Sequence, residues 1–354
     1  MQNNYKNKGF TLLEILLIMI SIILLLLILF IARNSNQNIN NTRNSFILSN
    51  FNKLFDIQNK NKVYINTNNK DKNLICPSGY IKVPGNSLYA TRDFCVMKYE
   101  AKVVEINNPK LGLKSPTTGF NTISNNDIIE SINTNKISIA SLASGYPLAN
   151  ISQKKAIEYC NKVGANLITN AEWMTIARNI EEQPANWTSG TVGLYRGHSD
   201  NNPSKALEAS LYDTKGYEGT DNSSPSIERR THTLSNGEII WDLSGNVWEW
   251  TSDTILGKDQ PTGNNKGFAW RQYTGITNYG ILSYDLIRPS NKNWNTNQNI
   301  GQIYSDGSTT NNISYAFLRG GSWLNPARTG IFTLVLNNTS LDSNYNIGFR
   351  CVIN

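Results

Sequence analysis

Residues 10–32 read FTLLEILLIMISIILLLLILFIA, an apolar run broken only by Thr11, Glu14 and Ser21. At ~1.5 Å per residue it predicts a helix of about 34 Å, enough to cross a bilayer once. Lys6 and Lys8 precede the run and the bulk of the chain follows it, so the positive-inside bias keeps the N-terminus cytoplasmic and exports the remainder. A cleaved secretory signal fits poorly, because its apolar core is about 7–15 residues and ends at small residues, whereas Arg33 and an Asn-rich stretch follow here. Beyond Arg33, Ile39, Phe46, Ile47, Phe51, Leu54 and Phe55 recur at roughly helical spacing, which predicts that the helix continues outside the membrane to residue 58. Residues 59–73 (NKNKVYINTNNKDKN) are polar and read as a linker, with a globular module expected over 74–354.

Inside that module the period changes. Phe94-Cys95-Val96-Met97-Lys98-Tyr99-Glu100 predicts an alternating strand. Residues 146–178 (YPLANISQKKAIEYCNKVGANLITNAEWMTIAR) predict two helices. Ser152 caps the first, whose apolar stripe is Ala156, Tyr159, Cys160 and Val163, and Gly164 ends it. Thr169-Asn170-Ala171-Glu172 forms a capping box for the second, with Trp173, Ile176 and Ala177 buried.

Composition narrows the chemistry. The 354 residues allow about two domains. With 39% hydrophobic and 17% charged residues, the bulk is not compositionally disordered, and a mean hydropathy of −0.39 excludes a multi-span membrane protein. The formal charge of +7 is modest, and its Lys and Arg are scattered rather than clustered with aromatics, so no specific nucleic-acid partner is expected. Only His198 and His232 are present, and no Cys-x-x-Cys occurs among Cys76, Cys95, Cys160 and Cys351. That removes the usual zinc spacings and leaves little room for a Ser-His-Asp hydrolase.

The stretch Lys8-Gly9-Phe10-Thr11-Leu12-Leu13-Glu14 resembles the leader of type IV pilins and pseudopilins. The resemblance implies a leader at 1–9, cleavage between Gly9 and Phe10 by a prepilin peptidase, methylation of the new N-terminus, and a pilin-like transmembrane and stalk helix over 10–58. A carboxylate inside an apolar helix is costly without a partner. In pilins that partner is the N-terminal amine of a neighbouring subunit, which gives Glu14 the role of setting register among other pilin subunits.

Four further segments, spread over 74–354, resemble the formylglycine-generating-enzyme family. They are the strand ending Lys98-Tyr99-Glu100, the helix pair with its Glu158-Tyr159-Cys160, Gly245-Asn246-Val247-Trp248-Glu249-Trp250, and Arg319-Gly320-Gly321-Ser322-Trp323 closing with Gly348-Phe349-Arg350-Cys351. The implied fold is an α+β, C-type-lectin-like domain of small sheets, two helices and much irregular loop held by buried Trp. Its activity does not follow from the fold. Family members that use copper hold it on two cysteines after the Gly-Gly-Ser turn, and here those positions are Asn325 and Gly330. An amide and a glycine cannot replace soft thiolates, so neither copper nor enzymatic activity is expected. Iron-dependent relatives need several histidines, which this chain lacks. The resemblance further implies a Cys160–Cys351 disulfide, which leaves Cys76 and Cys95 for each other, as suits an exported module. Asn246 and Glu249 match positions near which relatives bind calcium, so a structural calcium is the one inorganic ligand to test; no other cofactor is required.

Residues 324–350 (LNPARTGIFTLVLNNTSLDSNYNIGFR) resemble the variable region of diversity-generating retroelement target proteins. In those systems the adenines of Asn codons are randomised. Leu324, Arg328, Val335, Asp342 and Tyr345 stand where the pattern has Asn, and each is reachable by that route. Lys, Glu, Gln, Met and Trp, which lie outside the reachable codons, do not occur in this window. The implied contact set is Leu324, Asn325, Arg328, Val335, Asn337, Asn338, Asp342, Asn344 and Tyr345, projecting from a frame of Trp323, Phe332, Leu334, Leu336, Ile347 and Phe349. The expected protein is a non-catalytic, surface-displayed receptor for an extracellular protein or glycan, single-pass in the cytoplasmic membrane and then at the pilus or cell surface. A minor pilin or adhesin with a fixed binding surface is the alternative.

Overall fold

The computed structural model describes residues 74–114, 119–126, 128, 136–188, 193–223, 226–264 and 267–354. These fall in one compact unit, Asn69–Asn354. The segments expected as leader, membrane and stalk helix and linker, with Gly9, Phe10 and Glu14, lie outside the described residues. Among the described residues no helix is long and apolar enough to cross a membrane.

A hairpin of β1 (Tyr80–Val83) and β2 (Phe94–Met97) is followed by β3 (Ala101–Glu105), β4 (Asn108–Gly112), β5 (Ile123–Ser124), β6 (Ile137–Ser141) and β7 (Leu148–Ala149), then helix α1 (Gln153–Lys162). Next come β8 (Asn166–Leu167), α2 (Asn170–Glu181), β9 (Thr231–Thr233), β10 (Ile239–Trp241) and the long β11 (Trp248–Leu256). The chain ends with β12 (Ala269–Arg271), β13 (Ile303–Ser305), β14 (Ser314–Arg319), β15 (Leu334–Asn338), β16 (Ile347–Phe349) and β17 (Cys351–Ile353). The domain is thus mostly β, richer in strand than the α+β expectation. Its largest sheet has six strands in the order β12-β13-β15-β14-β11-β16, and a second has the order β1-β2-β17-β8.

Strand β2 is buried at all four positions rather than at alternate ones. It lies inside its sheet, so Phe94 and Val96 enter one hydrophobic cluster and Met97 the other. The helices follow the sequence closely. Ser152 accepts from Lys155 N, and α1 buries Ala156, Tyr159 and Cys160, while Val163 is half-buried at the C-cap. Gly164 takes φ +74°, a left-handed conformation that costs glycine little. The Thr169–Glu172 capping box forms, and Trp173, Ile176 and Ala177 of α2 are fully buried.

Two apolar clusters flank the six-stranded sheet. Leu334 and Leu336 of β15 face the one that contains Trp173, Ile176 and Phe332; Val335 faces the one that contains Tyr159, Trp250 and Phe349. On this second face a cross-strand row runs Trp270–Tyr304–Val335–Leu318–Trp250–Phe349, each a register partner of the next. Both expected disulfides form, Cys76–Cys95 with Cα atoms 5.5 Å apart and Cys160–Cys351 at 5.6 Å, which places all four cysteines of the chain in disulfides.

Candidate ligand-binding surface

The C-terminal segment leaves β14 through Gly320 and Gly321, with φ of +84° and +91°. A Cβ on Gly321 would stand 2.3 Å from Thr329 Oγ1, so the turn closes only around glycine. Trp323 follows, fully buried against Ala206 and Val247. All six frame residues named from sequence are at most 3% exposed.

Four of the nine expected contact residues are exposed, namely Arg328, Asn337, Asp342 and Asn344, and four are half-buried, namely Leu324, Asn325, Asn338 and Tyr345. Val335 differs. It is 7% exposed, because the face of β15 opposite Leu334 and Leu336 is covered as well: Tyr304 and Leu318 flank Val335, with Trp270 beyond Tyr304. Alternation along a strand exposes a residue only when one face is open to water. Val335 is therefore a core residue, and its place in the expected contact set is corrected.

The contact residues gather in two groups rather than one. Leu324 and Tyr345 pack on Trp323, and the Tyr345 ring stacks on Phe120 with centroids 4.2 Å apart and planes 16° apart. The Arg328 guanidinium lies over the Trp270 ring, 4.8 Å from its centroid. Asn325 and Asn344 are engaged locally. Asn325 Oδ1 accepts from Ser322 Oγ at 2.9 Å and its carbonyl from Thr329 Oγ1 at 2.8 Å, while Asn344 Oδ1 accepts from Tyr345 N at 2.8 Å. Asp342 Oδ2 accepts from Thr339 N at 2.6 Å, which fixes the exposed turn after β15. The sequence reading missed Phe120, Trp270 and Tyr304, because nothing in the local pattern around them signals a position beside the C-terminal segment.

Asn246 and Glu249 are each held by hydrogen bonds within the protein. Both Glu249 oxygens accept from Arg350, at 2.5 and 2.6 Å, while Asn246 Oδ1 accepts from Leu207 N at 2.8 Å and its Nδ2 donates to Glu100 Oε2 at 2.6 Å. Trp248 and Trp250 point to one face of β11 and Glu249 to the other. The side-chain oxygens of Asn246 and Glu249 are thus engaged by protein donors. Arg350 sits where the chain passes from β16 to β17 and so from one sheet to the other; it also donates to the carbonyls of Met97, Trp241 and Asp242. Burial opposes its charge, but Glu249 beside it holds its pKa above the usual value.

The two positions matched to the copper cysteines lie in tight turns. A Cβ on Gly330 would stand 2.3 Å from Ile300 C and 2.4 Å from Gly301 N, so no cysteine fits there, and Asn325 is held in its turn. Among the described residues no three His, Cys, Asp or Glu side chains could hold a metal ion together. His198 and His232 are buried, each with Nε2 on a backbone carbonyl.

No curated protein matches the sequence. Among solved structures, the Major Tropism Determinant I1 variant aligns with a TM-score of 0.35 at 16% identity, over 79% of this chain and 53% of that one, so this chain spans about half the length of that match. The Treponema denticola variable protein 1 aligns with a TM-score of 0.34 at 13% identity, over 74% of this chain and 84% of that one. A family model described as the sulfatase-modifying factor enzyme 1-like domain matches residues 89–354. The chain belongs to the sulfatase-modifying factor enzyme 1-like domain family.

Proposed function

We propose that this is a non-catalytic receptor protein that presents a retroelement-diversified surface to an extracellular partner, carried by a type IV pilin-like helix. One observation carries the reading: between frame residues at most 3% exposed, Leu324, Arg328, Asp342, Asn344 and Tyr345 keep solvent-facing surface. A rigid support with interchangeable outward side chains can change its partner without unfolding. Asn325 and Gly330, the latter without room for a Cβ, favour binding over catalysis.

The N-terminal motif supports the anchoring half. Prepilin peptidase is its processing partner and other pilin subunits its assembly partners, with the C-terminal domain outside the cell. Mass spectrometry of the mature chain tests this: a methylated Phe10 at the N-terminus is expected, and an intact leader sets the pilin reading aside. Sequencing the adjoining DNA tests diversification. A near-identical repeat with adenines at the codons for Leu324, Arg328, Asp342 and Tyr345, beside a reverse transcriptase, is expected. Without them the fixed-surface minor pilin takes its place, a reading that the burial of Val335 and the local bonding of Asn325 favour.

A further inference from the structure

We propose that Trp270 and Tyr304, on strands outside the C-terminal segment, are the fixed anchor of the binding surface, and that the partner seated on them is a folded protein. The inference rests on the binding-surface reading above and deepens it. The row Trp270–Tyr304–Val335–Leu318–Trp250–Phe349 shares one face of the sheet. Its inner members are core: Trp250 and Phe349 are fully buried and Leu318 is 2% exposed. At the β12 edge that cover ends, and Trp270 and Tyr304 are only half-buried. Their rings lie 5.0 Å apart, and Phe268 stacks beside Tyr304 at 5.8 Å.

The aromatic end of this row meets the contact set directly. Arg328 lies on Trp270, so a change at 328 alters what covers a fixed ring, while Val335, paired with Tyr304, stays constant as support. Large rings with few rotatable bonds bury much apolar area at small entropic cost, and Trp, Tyr and Arg dominate the strongest contacts of protein interfaces. The second group, Tyr345 with Phe120, precedes β16 at the opposite edge of the same sheet. Five strand spacings of about 4.8 Å separate the edges, roughly 24 Å. A standard protein footprint of about 800 Å² is roughly 28 Å on a side, whereas a single sugar ring would reach one group only.

The test uses the full chain displayed on cells, as a library randomised at 324, 328, 342, 344 and 345. It is selected against lysozyme, as an arbitrary folded protein, and separately against dextran. Lysozyme binders are expected, and Trp270→Ala or Tyr304→Ala should weaken each at least tenfold, with Trp270→Phe recovering most of the loss. Tyr212→Ala, at a fully solvated side chain outside both aromatic groups, should change nothing. Circular dichroism melts of each variant separate lost contact from lost fold. Binders indifferent to both alanine substitutions overturn the anchor and leave the binding surface standing. Binders to dextran alone overturn the protein partner, and a library yielding no binder to either overturns the binding-surface reading and the anchor with it.

Discussion

At the residue scale, Val335 and Asn337 lie two apart on β15 yet have opposite tolerance. Val335 is 7% exposed within an apolar cluster, so Val335→Asn, which buries an amide there, should cost about 2 kcal/mol or more. Asn337 is exposed, and Asn337→Asp should stay within about 0.5 kcal/mol; urea unfolding of both variants measures the contrast. Glu100 makes a second prediction. Burial first, then the Asp242 carboxylate, pushes its pKa up to about 8, although Asn246 Nδ2 and Val247 N both donate to it. An unfolded Glu titrates at about 4.3, so across the interval the folded chain holds a proton that the unfolded chain has released. That stability is whole below about 4.3 and is lost as pH rises towards 8, at no more than about 1.4 kcal/mol per pH unit. His232 works the other way: burial pushes its pKa down to about 4, so its contribution is lost as pH falls below about 6.5. Between pH 6.5 and 8 the melting temperature should therefore fall, and Glu100→Gln should flatten that fall; an unchanged slope would assign it elsewhere.

At the scale of elements, the helices were legible and most strands were not. Helix α2 announces itself through Thr169 and Glu172, whose reciprocal bonds form as the spacing demands, Glu172 Oε2 accepting from Thr169 N at 2.8 Å. Thr169→Ala should cost about 1 kcal/mol. In a domain of this size that lowers the melting temperature by roughly 2–4 °C, as calorimetry would show. The strands β5, β7 and β8 are two residues each, too short for a period of two to declare itself. Even β2, whose alternation is plain, gave no hint that both its faces are covered, because that depends on which strands arrive beside it. The same limit hid half the candidate surface. Leu324 to Tyr345 could be read as one segment, but Phe120, Trp270 and Tyr304 join it only through the order of strands in the sheet and through loops that sequence does not pair.

At the scale of the whole molecule, the two disulfides divide the work of closing the chain unequally. Cys160–Cys351 spans 191 residues and Cys76–Cys95 only 19. The chain-entropy model assigns about 5 kcal/mol to the first loop and about 3 kcal/mol to the second. Topology sharpens the difference, because β17, which carries Cys351, is the inner strand between β2 and β8, and Cys160 anchors α1 beside it. Cutting that link frees the last strand together with Arg350, whose guanidinium holds Glu249 and three carbonyls. The double substitution Cys160→Ser/Cys351→Ser should therefore melt well below Cys76→Ser/Cys95→Ser, by several degrees. Equal melting temperatures would mean that the sheet, and not the covalent link, holds the C-terminal frame in place, and that the outward residues it carries owe their rigidity to packing alone.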